Sequence, residues 1–283
     1  MMKTGLIMEG GAMRGLFTCG VIDVFLENNI TFDGSAGISA GAVFGCNFKS
    51  RQHGRPLRYN LNYCNDPRYG SFISLIKTGD LFDADFCYRE VPLFLDPFDA
   101  KTFEENPMEF YAGATNIETG ECEYHLCHDG LEEDTLWFRA SASMPLVSRP
   151  VEINGHLYLD GGIVDSIPYH FMAGIGYDRS IVVLTQPKGF VKKKNKATPI
   201  TDITMRKYPK LCEAIAIRHI RYNEQVKEVE DKEKEGSVII IRPPESLGIG
   251  RITKDKKELE RVYQIGRKVT EERLEDIRSF LKK

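Results

Sequence analysis

The apolar positions in the first fifty residues follow two rhythms. Lys3–Glu9 (KTGLIME) is a short apolar run that ends in glycines, the pattern of a short buried strand. From Arg14 to Asn28 the apolar residues, Val21, Val24 and Phe25 among them, approximate helical spacing and predict a helix. Phe32–Gly37 reads as a second short strand and Ala40–Lys49 as a second helix. This alternation predicts an α/β fold, since consecutive parallel strands need helical crossovers. Further strands are expected at Glu109–Thr115, Glu121–Cys127, Ser180–Gln186 and Ser237–Arg242. Val151–Asp160 reads as a hairpin that turns at Asn154-Gly155. Helices are expected at Asp134–Ser143, Ile167–Ala173, Pro209–Lys234 and Lys254–Lys282.

Two stretches break the alternation. Ser50–Pro107 reads as long and irregular, and it carries Phe82, Phe86, Tyr88, Phe94 and Phe98. Such a segment is either a lid-like binding element or a covering layer with its own small core. Lys188–Ala197 (KGFVKKKNKA) is a basic loop, either solvated or in contact with an anionic lipid surface. No internal repeat or linker is visible. Residues 1–283 are therefore expected to form a single domain, with the motif-bearing part within 5–170 and a C-terminal strand and helices over 208–283.

Composition narrows the function classes. With 283 residues, 42% of them hydrophobic, the chain can bury a sizeable core. A net charge of -3 offers no basic footprint for nucleic acid. No run reaches the roughly 18 apolar residues that a membrane span requires. The N-terminus lacks the pattern of a signal peptide, and the seven cysteines form no framework, which points to reduced thiols in the cytoplasm. Cys122, His125, Cys127 and His128 cluster in CEYHLCH, but strand alternation puts Cys122 and His128 on one side and His125 and Cys127 on the other. No metal site is expected there, and no cofactor is expected anywhere. Oligomeric state leaves no mark in the sequence.

Three glycine-rich stretches carry the candidate chemistry. The first is Gly37-Ile38-Ser39-Ala40-Gly41, a Gly-x-Ser-x-Gly pentapeptide between a strand and a helix. In such an elbow the serine backbone is strained and its neighbours must be small, while the helix N-terminus faces any oxyanion formed beside the hydroxyl. A tight strand–helix turn without chemistry would read the same way. The second is MEGGAMRG, Met8–Gly15, whose Gly10 and Gly11 leave N–H groups bare to hold developing negative charge. A dinucleotide fingerprint fits less well, because Ala12 and Arg14 stand in its turn. The third is LYLDGG, where Asp160 ends a strand ahead of Gly161 and Gly162; a plain Asp-Gly turn is the alternative. No histidine has a local frame of its own. His156 shares a strand face with Asp160, but four residues of strand separate them by about 13 Å; His170 sits on an expected helix after Pro168.

In this order the stretches resemble the patatin-like phospholipase family. Its Asp-Gly-Gly-Gly-x-Arg-Gly loop is matched by Glu9, Gly10, Gly11, Ala12, Met13, Arg14 and Gly15, and its elbow by Gly37–Gly41. ASASMP (Ala140–Pro145) is similar to its Ala-Ser-rich segment, and Asp160-Gly161-Gly162 to its final Asp-Gly-Gly. GRPLRYN and NDPRYG are similar to a bacterial branch of the family. The resemblance implies a three-layer sandwich around a mostly parallel sheet. It also implies a Ser39–Asp160 dyad with no catalytic histidine, and an oxyanion hole from Gly10, Gly11 and Ala12. Implied in turn is a lipid or ester substrate; peripheral contact with a membrane surface is the further reading of the aromatic segment and the basic loop. Glu9 replaces the family's Asp and Ala12 its third glycine; alanine keeps the N–H donor but does not take a left-handed conformation cheaply. A soluble esterase or thioesterase with the same dyad, and a non-catalytic lipid-binding or regulatory protein, are the alternatives.

Overall fold

The computed structural model describes residues 2–194 and 198–282. Its strands are β1 (Lys3–Met8), β2 (Gly34–Ile38), β3 (Glu109–Asn116), β4 (Cys122–Leu126), β5 (Val151–Ile153), β6 (His156–Asp160), β7 (Tyr177–Val183) and β8 (Val238–Ile241). Its α-helices are α1 (Leu16–Glu27), α2 (Ala40–Lys49), α3 (Arg55–Tyr63), α4 (Phe72–Thr78), α5 (Ala100–Glu105), α6 (Glu132–Ala142), α7 (Tyr169–Gly174), α8 (Thr198–Thr204), α9 (Pro209–Glu235), α10 (Lys256–Glu271) and α11 (Leu274–Lys282).

The strands form one sheet in the order β5-β6-β3-β2-β1-β7-β8, with β4 also paired to β3. The pairs β3/β2, β2/β1, β1/β7 and β7/β8 are parallel; β3/β4, β3/β6 and β5/β6 are antiparallel. Alternation along the central strands sends side chains into two cores. Leu6, Met8, Ile181, Val183, Ile239 and Ile241 pack on the side of α1, α2 and α10. Ile7, Val182, Val238 and Ile240 face Met172 of α7 with Tyr222 and Val229 of α9. Both faces of the sheet are thus covered by helices, which is the expected three-layer α/β sandwich.

Two sequence expectations need correction. Ser50–Pro107 is not irregular: it holds α3, α4, a π-helix over Phe86–Leu95, and α5. The helix expected over Lys254–Lys282 is two helices, broken where Arg273 turns to donate to the Ile240 carbonyl at the end of the sheet. Of the basic loop, residues 195–197 lie outside the described residues. The hairpin turns at Asn154 and Gly155, with φ of 52° and 83°, the conformation an Asn-Gly turn favours.

Candidate active site

The parallel register pairs Met8 with Gly37, so β1 and β2 end side by side. The chain leaving β1 then runs along the chain leaving β2. A Cβ on Gly10 would come within 2.7 Å of the Ser39 Cβ, and one on Gly41 within 2.2 Å of the Met8 carbonyl. Only bare backbone fits at these crossings. Ser39 itself stands at φ 56° and ψ -121° between β2 and α2. A serine costs on the order of 1–3 kcal/mol in such a conformation. It is the strained turn that the Gly-x-Ser-x-Gly frame predicts, and it opens α2.

Asp160 arrives from the other side. β6 pairs with β3 so that Asp160 lies opposite Ala114, and β3 neighbours β2 through Gly113 and Ile38. The Asp160 side chain is buried and accepts from the Gly162 N–H at 2.7 Å. Burial raises its pKa; the nearby Arg218 charge, the Ser39 hydroxyl, the Gly162 N–H and Lys192 partly offset that rise.

The Ala140–Pro145 segment touches both residues. The Ser39 N–H donates to the Ser141 Oγ at 2.8 Å, and Ser141 Oγ donates to the Gly113 carbonyl at 2.6 Å. The Asp160 N–H donates to the Ser143 carbonyl at 2.7 Å. One short segment thereby fixes the backbone of the serine and of the aspartate. The sequence marked this segment but gave Ser141 no role, because its partner is a main-chain group 102 positions away.

The N–H groups of Gly10, Gly11 and Ala12 form no protein hydrogen bond among the described residues; Gly10 lies beside Ser39, and Gly11 packs against Thr185. Ala12 adopts φ 49°, the left-handed conformation that its third-glycine position calls for. Glu9 is buried. Its carboxylate accepts from the Thr185 N–H at 2.6 Å and from the Tyr222 hydroxyl at 2.9 Å, tying the loop to the segment that follows β7 and to α9. Arg14 Nε lies 3.5 Å from Thr185 Oγ1. Gly15 packs against Ala40, Gly37 against Gly41 and Gly161 against the Gly113 carbonyl, so the remaining motif glycines are sites of close approach.

None of the histidines hydrogen-bonds to Ser39 or Asp160. His156 pairs with Glu118 at 3.0 Å and His170 with Glu228 at 2.9 Å, both at the surface. His53 pairs with Glu27 and His125 with Asp134. His125, Cys127 and Asp134 hold their donor atoms within 4.8 Å of one another, a grouping that could be read as a metal site. The atoms are already engaged. Asp134 Oδ1 takes the His125 Nε2 contact at 2.7 Å, and Oδ2 accepts from the N–H groups of His128, Asp129 and Gly130. Burial pushes the Cys127 thiol well up, against thiolate formation. The cluster pins β4 to α6.

A cavity of about 340 Å³, mostly apolar, opens at Ser39. Its lining includes Ala40 and Phe44 of α2, Phe138 of α6, Met144, and Phe72, Phe82, Tyr88 and Phe98 from the segment after α2. Around it, Phe72 and Ile76 of α4 are 74% and 85% exposed, and Leu93, Phe94 and Leu95 project from the end of the π-helix. No helix among the described residues is long and apolar enough to cross a membrane.

Comparison with known proteins follows the same outline. The family model "Patatin-like phospholipase" matches residues 6–173, and a second, "Domain of unknown function (DUF6363)", matches residues 208–282. "Uncharacterized protein YjjU" of Escherichia coli (strain K12) is 31% identical over 191 residues, covering 65% of this chain and 52% of YjjU. "Lysophospholipase nte1" of Aspergillus terreus is 25% identical over 305 aligned positions, covering 98% of this chain and 18% of the relative. The chain thus spans about half of the first relative and under a fifth of the second. Among solved structures, VipD from Legionella pneumophila aligns with a TM-score of 0.49 at 14% identity, covering 97% of this chain and 67% of VipD.

Proposed function

This chain belongs to the patatin-like phospholipase family, and we propose that it is a serine acyl hydrolase that cleaves carboxylic esters of lipids. The observation that carries this reading is the meeting of a strained serine, a buried aspartate and uncommitted N–H groups at the mouth of an apolar cavity. Ser39 Oγ attacks the acyl carbon while Asp160 takes its proton. Negative charge gathers on the carbonyl oxygen, where the N–H groups of Gly10, Gly11 and Ala12, with the N-terminus of α2, stabilise it. Collapse expels the alcohol, which takes the proton from Asp160 and leaves an acyl ester on Ser39. Asp160 then removes a proton from water, which attacks the acyl carbon; the fatty acid leaves and the proton returns to Ser39.

A carboxylate is a weak base toward a hydroxyl. The upward pKa shift that burial gives Asp160 reduces that mismatch. The apolar cavity receives the acyl chain, and the exposed Phe72, Ile76 and Phe94 rest on the lipid surface from which the substrate is drawn. The seven free cysteines fit a cytoplasmic, peripheral location. The lysophospholipase names of the fungal relatives agree with a lipid ester as substrate. A fluorophosphonate probe is expected to label the folded protein at Ser39, and fatty acid to be released from micellar lysophospholipid. A folded protein that neither labels nor releases acid on any ester would be the non-catalytic lipid-binding alternative.

A further inference from the structure

Beside the dyad stand cations that the hydrolytic steps leave unused. Arg218 of α9 donates from Nε at 2.5 Å to the carbonyl of Gly162, the residue whose N–H holds the Asp160 carboxylate. Its two Nη groups have no hydrogen-bond partner among the described residues and are not sealed from solvent. Lys192 lies in the basic loop after β7. Its N–H donates to Asn223 Oδ1 at 2.8 Å and its carbonyl accepts from Asn223 Nδ2 at 3.1 Å, which ties the loop to α9. Its Nζ lies 3.8 Å from the centroid of the Tyr222 ring, whose hydroxyl is committed to Glu9. Neither cation has a carboxylate within 4.0 Å among the described residues.

The two charges act on each other and on the site. Burial, the Arg218 charge and Arg14 push Lys192 down to about 7, against the pull of Glu9 and Asp160. Arg218 is lowered by burial and by Arg251 and Arg14, while Asp160 and Glu9 favour its charge. Half-buried cations that act on each other with no carboxylate in contact are costly unless an anion completes the site. Neither residue lines the apolar cavity, although Arg251, whose charge acts on Arg218, does. Arg218 offers a planar fork suited to two phosphate oxygens and Lys192 a point charge.

We infer that Lys192 and Arg218 form an anion subsite beside the dyad that receives the phosphodiester of a lysophospholipid substrate and sets a preference for phosphate-bearing over neutral esters. This rests on the hydrolytic reading of Ser39. The test uses the full chain with a lysophospholipid and a monoacylglycerol of the same acyl chain. In Lys192→Met the ratio of their kcat/KM values is expected to fall about tenfold, through KM on the lysophospholipid, and Lys192→Arg is expected to retain it. Binding of a non-cleavable ether-linked lysophospholipid, followed by calorimetry, gives a readout without turnover. Wild-type affinity is expected to be full below about pH 7 and to decline above it as Lys192 loses its proton; Lys192→Arg stays flat across that range. An unchanged ratio and unchanged affinity in folded Lys192→Met would overturn the assignment. So would a variant that loses inorganic phosphate binding while keeping ether-lipid affinity, since the subsite would then serve free phosphate. Ether-lipid binding without hydrolysis of any ester would instead refute the role of Ser39.

Discussion

In the proposed mechanism Asp160 is the base, and the rise that burial gives its pKa has two measurable consequences with opposite slopes. The carboxylate must be ionised to take the Ser39 proton, so kcat/KM is expected to fall as pH drops through a value above that of an ordinary aspartate. Stability runs the other way. The folded state holds the Asp160 proton more tightly than the unfolded chain does, so this group favours folding at acid pH and that contribution is lost as pH rises through the folded pKa. Asp160→Asn keeps the shape and an acceptor for the Gly162 N–H without the charge. It is expected to lower hydrolysis by orders of magnitude while melting at or above the wild-type temperature. His156→Ala and His170→Ala should retain most activity, since their rings pair with Glu118 and Glu228; an equal loss in either would replace the dyad with a triad. Ala12, at φ 49°, gives a second test at this scale. Ala12→Gly is expected to be neutral or stabilising by up to about 1 kcal/mol in thermal melts, and Ala12→Val to destabilise, because a β-branched residue is poorly accommodated there. Ser39 and Asp160 stand out in the sequence because each adjoins glycines, and at those glycines the structure shows backbone crossings too close for a side chain. Ser141 does not, because a serine in an Ala-Ser run carries no local sign of which distant main-chain group it will hold.

At the scale of elements, what was legible depended on where each apolar face points. The core strands read correctly because their residues are buried on both sides, which gives short continuous apolar runs. α3, α4 and α5 were hidden in Ser50–Pro107 for the opposite reason. α4 turns Phe72, Ile73 and Ile76 outward, Phe82, Tyr88 and Phe98 are shared between the cavity and the edge of the core, and Pro92 sits inside the π-helix, so no single period survives. That failure coincides with the proposed lipid-facing surface, where sequence and burial are expected to disagree. Ile76 does not line the cavity. Ile76→Asp, alone or with Ile73→Glu, is therefore expected to lower the ratio of the rate on vesicles to the rate on a short monomeric ester. The predicted factor is about tenfold or more, since moving a charged side chain into the interface costs far more than leaving it in water. A ratio that does not move would favour the soluble-esterase alternative and leave the outward face of α4 without a role.

For the whole molecule, the question is whether residues 1–283 act as one unit, although the two family models divide the chain at 173 and 208. Several contacts cross that division at the places that matter for the site. β8 closes the sheet against β7, Tyr222 holds Glu9, and Arg218 holds the carbonyl of Gly162. The tightest crossing is between α1 and α10. A Cβ on Gly20 would come within 2.2 Å of the Tyr263 carbonyl, and one on Gly266 within 2.0 Å of the Phe17 carbonyl, so the two helices touch backbone to backbone. Beside this contact the Tyr263 hydroxyl donates to Asp23 at 2.7 Å, and Arg267 pairs with Glu27 at 2.7 Å. Helices this close cannot accept a side chain at the crossing without moving apart. Gly266→Val is thus expected to destabilise the protein by about 3 kcal/mol or more. Because α1 follows the glycine loop directly, the loss should appear in the motif-bearing part as well as in the C-terminal helices. Calorimetry should show a single transition shifted down, with fluorophosphonate labelling lost across the same temperatures as the helical signal. Two transitions, with labelling surviving the first, would mean that the C-terminal segment is a separate domain and that the contacts of Arg218 and Tyr222 join two bodies rather than complete one.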